Sequence, residues 1–589
     1  MAIEYLDGIR LYRGVSAGLQ KVMSRREYLN KINVFPVPDG DTGTNMAHTL
    51  ATIERNIRDK VTTQIQKVSQ MIADSALDGA RGNSGAIFAQ FFVGLSEGIT
   101  QKEKISPDEF VVAAKQASDS SYEALMQPRE GTMLTVIRVW SQTVERVSKN
   151  CNDFKLILAE ALEKAKIALA ETPKQLAVLA KAGVVDAGAQ GFVDFLEGIQ
   201  SYIDTGEIPL YENVIVLEKD EAQNVELQDE FQYCTECVME GTDLNRIAIK
   251  EAIQDKGGSI VIAGGKNKVK IHIHTNNPKE FFDTCRKFGE VLDEKADDML
   301  KQQKDSHTKH GKIAIVVDSA CDLPQNVIDD LGLHVVPVRL NFGDDHYIDK
   351  VTMTSEEFWK EFNRNPNHPK TSQPTPGDFR RQYQFLEEHY ESVVSLHLPL
   401  KLSGTVQSAN AVSKEFKKMN LNIFESNNGS VGLGLIAKKV AESANDGKNI
   451  EEVLQIAKRA IDETKNYVYL DDLKYVVRGG RLPAKKKKIL NILHLSPILS
   501  FSADGLKPVG FLIDKKNKRN NFLKRMLKKV SSSNFKIGIA HGNLPNEIDS
   551  IAKLFIDKVG KENVVVTDLG PALGAHGGPG AMAIAIQPF

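Results

Sequence analysis

Residues 33–46 read "NVFPVPDGDTGTNM". This stretch sets two aspartates, Asp39 and Asp41, two positions apart in a turn rich in proline and glycine, and follows them with Thr42, Thr44 and Asn45. Carboxylates held this close repel each other unless a cation lies between them. A hard ion such as Mg²⁺ takes oxygen ligands and bridges to substrate phosphates. Proline, aspartate and glycine also build ordinary solvated turns, so a cation site and a plain turn both fit this stretch taken alone.

Around it, residues 1–203 carry helical periodicity. Val61, Ile65, Val68, Met71 and Ile72 recur at spacings of three and four, as do Leu158, Leu162, Ala165 and Leu169, which predicts one apolar face on each of two helices. The loops between are built of small residues: "GARGNSG", "PREGTMLT" and "KAGVVDAGAQG". Gly82, Asn83 and Ser84, and likewise Gly131 and Thr132, supply amides and hydroxyls at expected helix starts, where anions are favoured. Asp186 is placed to touch metal or nucleotide. No Gly-Lys pair is followed by Ser or Thr, so phosphate would be held without a P-loop lysine.

Four ordered motifs, "NVFPVPDGDTGTNM", "GARGNSGAIFAQ", "EGTMLTV" and "AGVVDAGAQGF", resemble the ATP-binding domain of bacterial fatty acid kinase, of the same superfamily as the nucleotide-binding subunit of dihydroxyacetone kinase. The resemblance implies an all-α eight-helix barrel that binds ATP with Mg²⁺ at one end. It implies Asp39 and Asp41 as metal ligands, Asn45, Ser84 and Thr132 around the phosphates, with Thr42 and Thr44 beside them, and Asp186 near the nucleotide. The dihydroxyacetone branch carries a third aspartate where this chain has Asn33, which leans the chain towards the fatty acid branch.

Residues 204–310 change character. "SIVIAGG" and "VKIHIHT" predict strands, giving a small α+β domain closed by a polar linker at 301–312. His272 and His274, two apart on a strand, share a face, and Cys234 and Cys237 lie upstream. Thiolate and imidazole suit Zn²⁺; the alternative is a pair of strand histidines facing solvent beside two core cysteines. The segment resembles the middle domain of fatty acid kinase, which implies Cys234, His272 and His274 as metal ligands and leaves Cys237 open.

From residue 311 to 589 strand and helix alternate, the pattern of an α/β sheet with ligands at the strands' C-terminal ends. "IAIVVDSACDLP", "KTSQPTPGDF", "LPLKLSGTVQSA", "VRGGRL" and "GAHGGPGA" resemble the DegV family of fatty-acid-binding proteins. That resemblance implies a two-lobed domain with a buried acyl tail, a carboxylate held by Thr371 and Ser403, and Arg481 and His576 nearby. Taken singly, Ser403 reads as a helix N-cap, Thr371 as a turn residue and Arg481 as a surface charge.

The bulk numbers bound the rest. The chain has 589 residues, a formal net charge of -2, and five cysteines. The charge argues against nucleic acid, and the odd cysteine count against a disulfide framework. No apolar stretch reaches the ~20 residues of a membrane span, and the N-terminus lacks a signal sequence, so a cytoplasmic location is expected. The lysine run at 485–488 fits a solvated surface. The expectation is an ATP- and Mg²⁺-dependent kinase that forms an acyl phosphate from a fatty acid, with Zn²⁺ in the middle domain. A homodimer and a downstream acyltransferase partner are expected. The alternatives are a glycerone-type kinase and a non-catalytic lipid-binding protein with an ATP-sensing domain.

Overall fold

Eight long helices account for most of the first 205 residues: α1 (Gly8–Lys31), α2 (Thr42–Ile57), α3 (Ile65–Gly79), α4 (Gly82–Glu97), α5 (Pro107–Glu123), α6 (Met133–Ser148), α7 (Phe154–Ala170) and α8 (Ala187–Thr205). The computed structural model describes residues 2–36, 40–100, 102–208, 231–300, 312–482, 496–512, 517–530 and 534–589. Asp39, the lysine run at 485–488 and most of the 301–312 linker lie outside the described residues. Contacts divide the chain into two units, Met1–Ser306 and His307–Phe589.

Each long helix packs on the next, and α8 returns to α1. α4 is apolar all round and buried from Gly85 to Leu95, as a helix with no polar stripe must be. Its Phe88 packs against Phe192 and Phe195 of α8. Leu158, Leu162, Ala165 and Leu169 lie on α7 as expected. Val61 does not join the α3 face, because a short 3₁₀ turn ends at Lys60 and α3 begins only at Ile65.

The middle segment forms β1 (Tyr233–Glu240), β2 (Gly258–Gly264), β3 (Lys268–Thr275) and β4 (Glu290–Asp298), an antiparallel sheet in the order β2-β3-β1-β4. The helix Pro278–Cys285 packs on β1 and β4. β2 is sewn to the helices: the amide of Met126 donates to the Ile260 carbonyl (3.1 Å) and that of Ile262 to the Ala124 carbonyl (2.8 Å). Val261 and Ala263 enter the helical core itself.

The second unit holds two larger sheets. One is parallel: β5 (Ile313–Asp318), β6 (His334–Val336), β10 (Ser392–His397) and β11 (Asn420–Glu425), in the order β11-β10-β5-β6. A small antiparallel sheet of β7 (Arg339–Phe342), β8 (Asp345–Ile348) and β9 (Lys370–Ser372) accompanies it. The other is mixed: β12 (Lys465–Tyr469), β13 (Ser496–Ser502), β14 (Gly505–Leu512), β15 (Phe535–His541), β16 (Val564–Asp568) and β17 (Met582–Pro588), in the order β14-β13-β12-β17-β15-β16. Asp322, just after β5 of the parallel sheet, bonds to the segment that follows β16 of the mixed sheet. It accepts from the Gly570 amide (3.1 Å) and the Ser430 hydroxyl (2.7 Å), and pairs with Lys350 (3.1 Å).

α1 crosses α8 at close range. A Cβ on Gly198 would lie 2.4 Å from the Ala17 carbonyl oxygen, and one on Gly18 2.2 Å from the Phe195 ring. Gly198→Val is therefore expected to destabilise the first unit by about 1–3 kcal/mol through overpacking, read as a lower urea midpoint. An unchanged midpoint would show that α1 and α8 part without strain.

Candidate functional site

The loops singled out in the sequence begin helices at one end of the bundle. Asp41 precedes α2, Arg81 precedes α4, Thr132 precedes α6 and Asp186 precedes α8. A cavity of about 340 Å³ opens there, with Asn83, Ser84, Thr132 and Asp186 on its wall. Phe35, Arg129 and residues 257–260 of the middle sheet complete it. Gly188 packs tightly at this end. A Cβ there would lie 3.3 Å from Ser84 Oγ and 3.4 Å from Asp186 Oδ1.

Asp186 ties two helix starts together. It accepts from the amide of Ala189 (2.7 Å) and from that of Met133. Burial nevertheless raises its pKa to about 6. The other expected residues are placed less directly. Thr44 is held by Asn30, with its amide on Asn30 Oδ1 (3.1 Å) and its hydroxyl accepting from Asn30 Nδ2 (2.9 Å). Thr42 and Asn45 are buried on α2. The Gly131 amide donates to the Thr135 hydroxyl (2.9 Å). None of Asp41, Thr42, Thr44, Asn45, Gly82 and Gly131 is on the described cavity wall.

Gly82 leads elsewhere. Its positive φ of 56° and the approach of Asn45 Nδ2, 2.5 Å from where a Cβ would stand, both require glycine. Its amide donates to Glu236 Oε1 of the middle sheet (2.7 Å). Glu236 is 1% exposed, and its partners are Lys270 (3.4 Å), Lys295 (3.7 Å) and His272 Nδ1 (3.2 Å). Burial opposes its charge, but Lys295, Lys270 and His272 outweigh burial and hold its pKa well below the usual carboxylate range.

Cys234, His272 and His274 stand on the same sheet face as Glu236, and their ligand atoms lie within 4.8 Å of one another. Among the described residues this is the one such group. Both histidines are buried, so they do not face solvent. Burial lowers His272 to a pKa of about 4, and its Nε2 is buried with no hydrogen-bond partner. Two imidazoles, a thiol and an orphaned ring nitrogen fit a divalent metal such as Zn²⁺. Three protein donors leave one tetrahedral position open. Cys237 is not part of the group, because its thiol is hydrogen-bonded to that of Cys285. The charge of Asp41 acts on Cys234, so the expected Mg²⁺ turn and the expected Zn²⁺ ligands are neighbours.

In the second unit, Thr371, Ser403, Arg481 and His576 all line one narrow, mostly apolar cavity, with Leu398, Val468, Leu470 and Phe501 among its walls. Thr371 is a strand residue of β9, not a turn, and its hydroxyl is 2.8 Å from His576 Nε2. Burial, with Arg481 and His368 adding to it, lowers the His576 pKa to about 3. Its Nδ1 has no partner. A Cβ on Gly479 would lie 2.0 Å from that nitrogen, which accounts for the first glycine of "VRGGRL". Ser403 is not an N-cap: Gly404 holds that position, and the Ser403 hydroxyl lies 2.7 Å from that of Thr405. Arg481 donates to the carbonyls of Gly479 (2.6 Å) and Leu402 (3.2 Å).

Sequence reasoning missed Glu236, Lys270 and Lys295 in the first unit, and Gln373 and Ser430 on the second cavity. Glu236 is two positions after Cys234, and Lys270 two before His272. Strand alternation alone therefore put all four on one face.

Three family descriptions match in order: a DAK2 domain over residues 36–201, a middle domain of the fatty acid kinase type over 230–306, and an uncharacterised protein of the DegV family over 312–588. Among curated relatives, an uncharacterized protein of Staphylococcus saprophyticus is 29% identical over 314 residues, 51% of this chain and 57% of that protein. Protein YloV of Bacillus subtilis is 30% identical over 328 residues, 53% of this chain and 59% of its own. The chain thus spans less than two thirds of the length of either relative. Among solved structures, a DegV family protein from Thermus thermophilus described for its fatty acid binding is 27% identical, and DegV, a fatty acid binding protein from Bacillus subtilis, is 25% identical. Each covers 47% of this chain and 100% of its own, with a TM-score of 0.44. The chain therefore carries, in order, a DAK2 domain, a middle domain like that of fatty acid kinase and a DegV-family domain.

Proposed function

We propose that this chain is an ATP-dependent fatty acid kinase that transfers the γ-phosphoryl group to a fatty-acid carboxylate. The helical ring would act as the nucleotide-binding barrel and the DegV-family half as the acyl carrier. What carries this reading is the pairing, in one chain, of a polar cavity at three helix starts with an apolar cavity that ends in hydroxyls, Arg481 and His576.

Helix starts and the Ser84 and Thr132 hydroxyls favour phosphate oxygens. Bound at Asp39 and Asp41, Mg²⁺ would supply charge neutralisation for the transferring group. A carboxylate is already nucleophilic at neutral pH, so the reaction needs positioning more than a general base. In the second cavity we assign the Nε2–H tautomer of His576. That nitrogen then donates to Thr371 Oγ1, and the Thr371 proton is left for the ligand carboxylate. Apolar walls bury the tail at about 0.8 kcal/mol per CH₂.

Asp41→Asn should abolish acyl phosphate formation, followed by hydroxylamine trapping, while a fatty acid still co-purifies by mass spectrometry. Full activity would refute the metal role. Thr371→Ala and Ser403→Ala should each cut acyl phosphate formation about ten- to a hundredfold, the effect of losing a hydrogen bond to a charged group, with ATP binding intact. The native chain should form acyl phosphate with no second protein added. Dependence on a separate carrier, with indifference to Ser403→Ala, would exclude the DegV half as the substrate site.

His576 also predicts a pH response. The unfolded chain takes a proton near pH 6.5, whereas the folded chain resists until about 3. Stability is therefore lost as pH falls through that window. His576→Gln should make the fall in urea midpoint between pH 6.5 and 4 shallower. An identical slope would mean that His576 is not held neutral.

A further inference from the structure

Glu236 sits between two groups that the sequence presents as unrelated. One carboxylate oxygen accepts the amide of Gly82, the first residue of α4 (2.7 Å), and lies 3.2 Å from His272 Nδ1. The next two residues of α4, Asn83 and Ser84, line the polar cavity. The opposite nitrogen of His272, Nε2, is buried without a partner in the group it forms with Cys234 and His274. The carboxylate is thus an anion already seated at the start of the helix where a phosphate would bind. It is joined through one imidazole to a cluster of metal-type ligands.

We propose that Glu236 is a positioning residue through which occupation of the Cys234–His272–His274 cluster sets the affinity of the α4 start for nucleotide phosphates. The proposal rests on the nucleotide reading of that cavity. Its sign follows from electrostatics. A cation on His272 Nε2 makes the Nδ1–H a stronger donor, the usual relation of carboxylate, histidine and metal. Glu236 is drawn towards the ring and its hold on the Gly82 amide loosens. The added positive charge also offsets the carboxylate that faces the incoming phosphate. Both effects leave the positive end of α4 more receptive to an anion. Linkage requires the reverse as well: nucleotide must tighten metal binding by the same factor.

The test uses the full chain, stripped with a chelator and titrated with MgADP with and without one equivalent of Zn²⁺. In the native chain Zn²⁺ is expected to tighten MgADP binding about five- to a hundredfold, and MgADP to tighten Zn²⁺ binding by the same factor. Glu236→Gln keeps an acceptor for the Gly82 amide and leaves all three cluster residues in place. It should still bind Zn²⁺, with MgADP affinity now the same with and without the metal to within about twofold. Zn²⁺ dependence that persists in Glu236→Gln would overturn the proposal. So would equal MgADP affinity with and without Zn²⁺ in the native chain, a measurement that does not depend on how the variant folds. If MgADP binds neither form of the native chain, the nucleotide reading falls and takes this proposal with it. That result is distinct from binding that ignores the metal.

Discussion

A charge buried as deeply as that of Glu236 persists only when it is paired and hydrogen-bonded, and that requirement organises the first unit. Lys270 comes from β3, Lys295 from β4, His272 from β3 and the fourth partner, the Gly82 amide, from the helical part. The sheet must therefore present its polar face to the start of α4. The backbone bonds from residues 124–126 to β2, and the bond from the Gly264 amide to Gln90 (2.7 Å), hold it there. Once it is so placed, residues 257–260 become part of the wall of the polar cavity. The middle segment is then a component of the site at the helix starts rather than a spacer behind it.

The second unit uses a buried carboxylate differently. Ser430, whose hydroxyl donates to Asp322, lines the apolar cavity together with Ala572. Asp349, next to this group, is pushed up to about 7 by burial and donates or accepts according to its proton. The cavity thus lies beside these polar contacts, while its own walls stay mostly apolar. That division suits a ligand with a long tail and one charged end.

Much of this was legible in the sequence, and the limits were physical. Local patterns carried well: the α7 face, the strands "SIVIAGG" and "VKIHIHT", and the strand–turn–helix rhythm from residue 313 all reflect periodicity within one element. Four of the expected nucleotide residues, Asn83, Ser84, Thr132 and Asp186, meet on one cavity, as do all four expected in the second half. What could not be read was pairing across long separations. Gly82 and Glu236 are 154 positions apart, and Thr371 and His576 are 205 apart. Nothing in "GARGNSG" says that the Gly82 amide is taken by a carboxylate. The sequence places Asp186 near metal or nucleotide but does not reveal that its carboxylate also caps α8 and accepts from the Met133 amide of α6.

The histidines show why residue type alone misleads. Ser395, His397 and Asp318 line up with spacings of 2.7 and 3.3 Å, the order of a catalytic triad. Yet all three are fully buried, Tyr383 closes the far end, and both ring nitrogens of His397 have partners. This row ties β5 to β10 and has no access to a substrate. An orphaned nitrogen is not sufficient either, since His368 also carries one and rests among aromatic rings. His272 and His576 differ by the company of that nitrogen. The first stands with a thiol and a second imidazole, and the second on an apolar cavity with a hydroxyl on its other face. An unsatisfied atom gains functional meaning only where its neighbours could hold the same ligand.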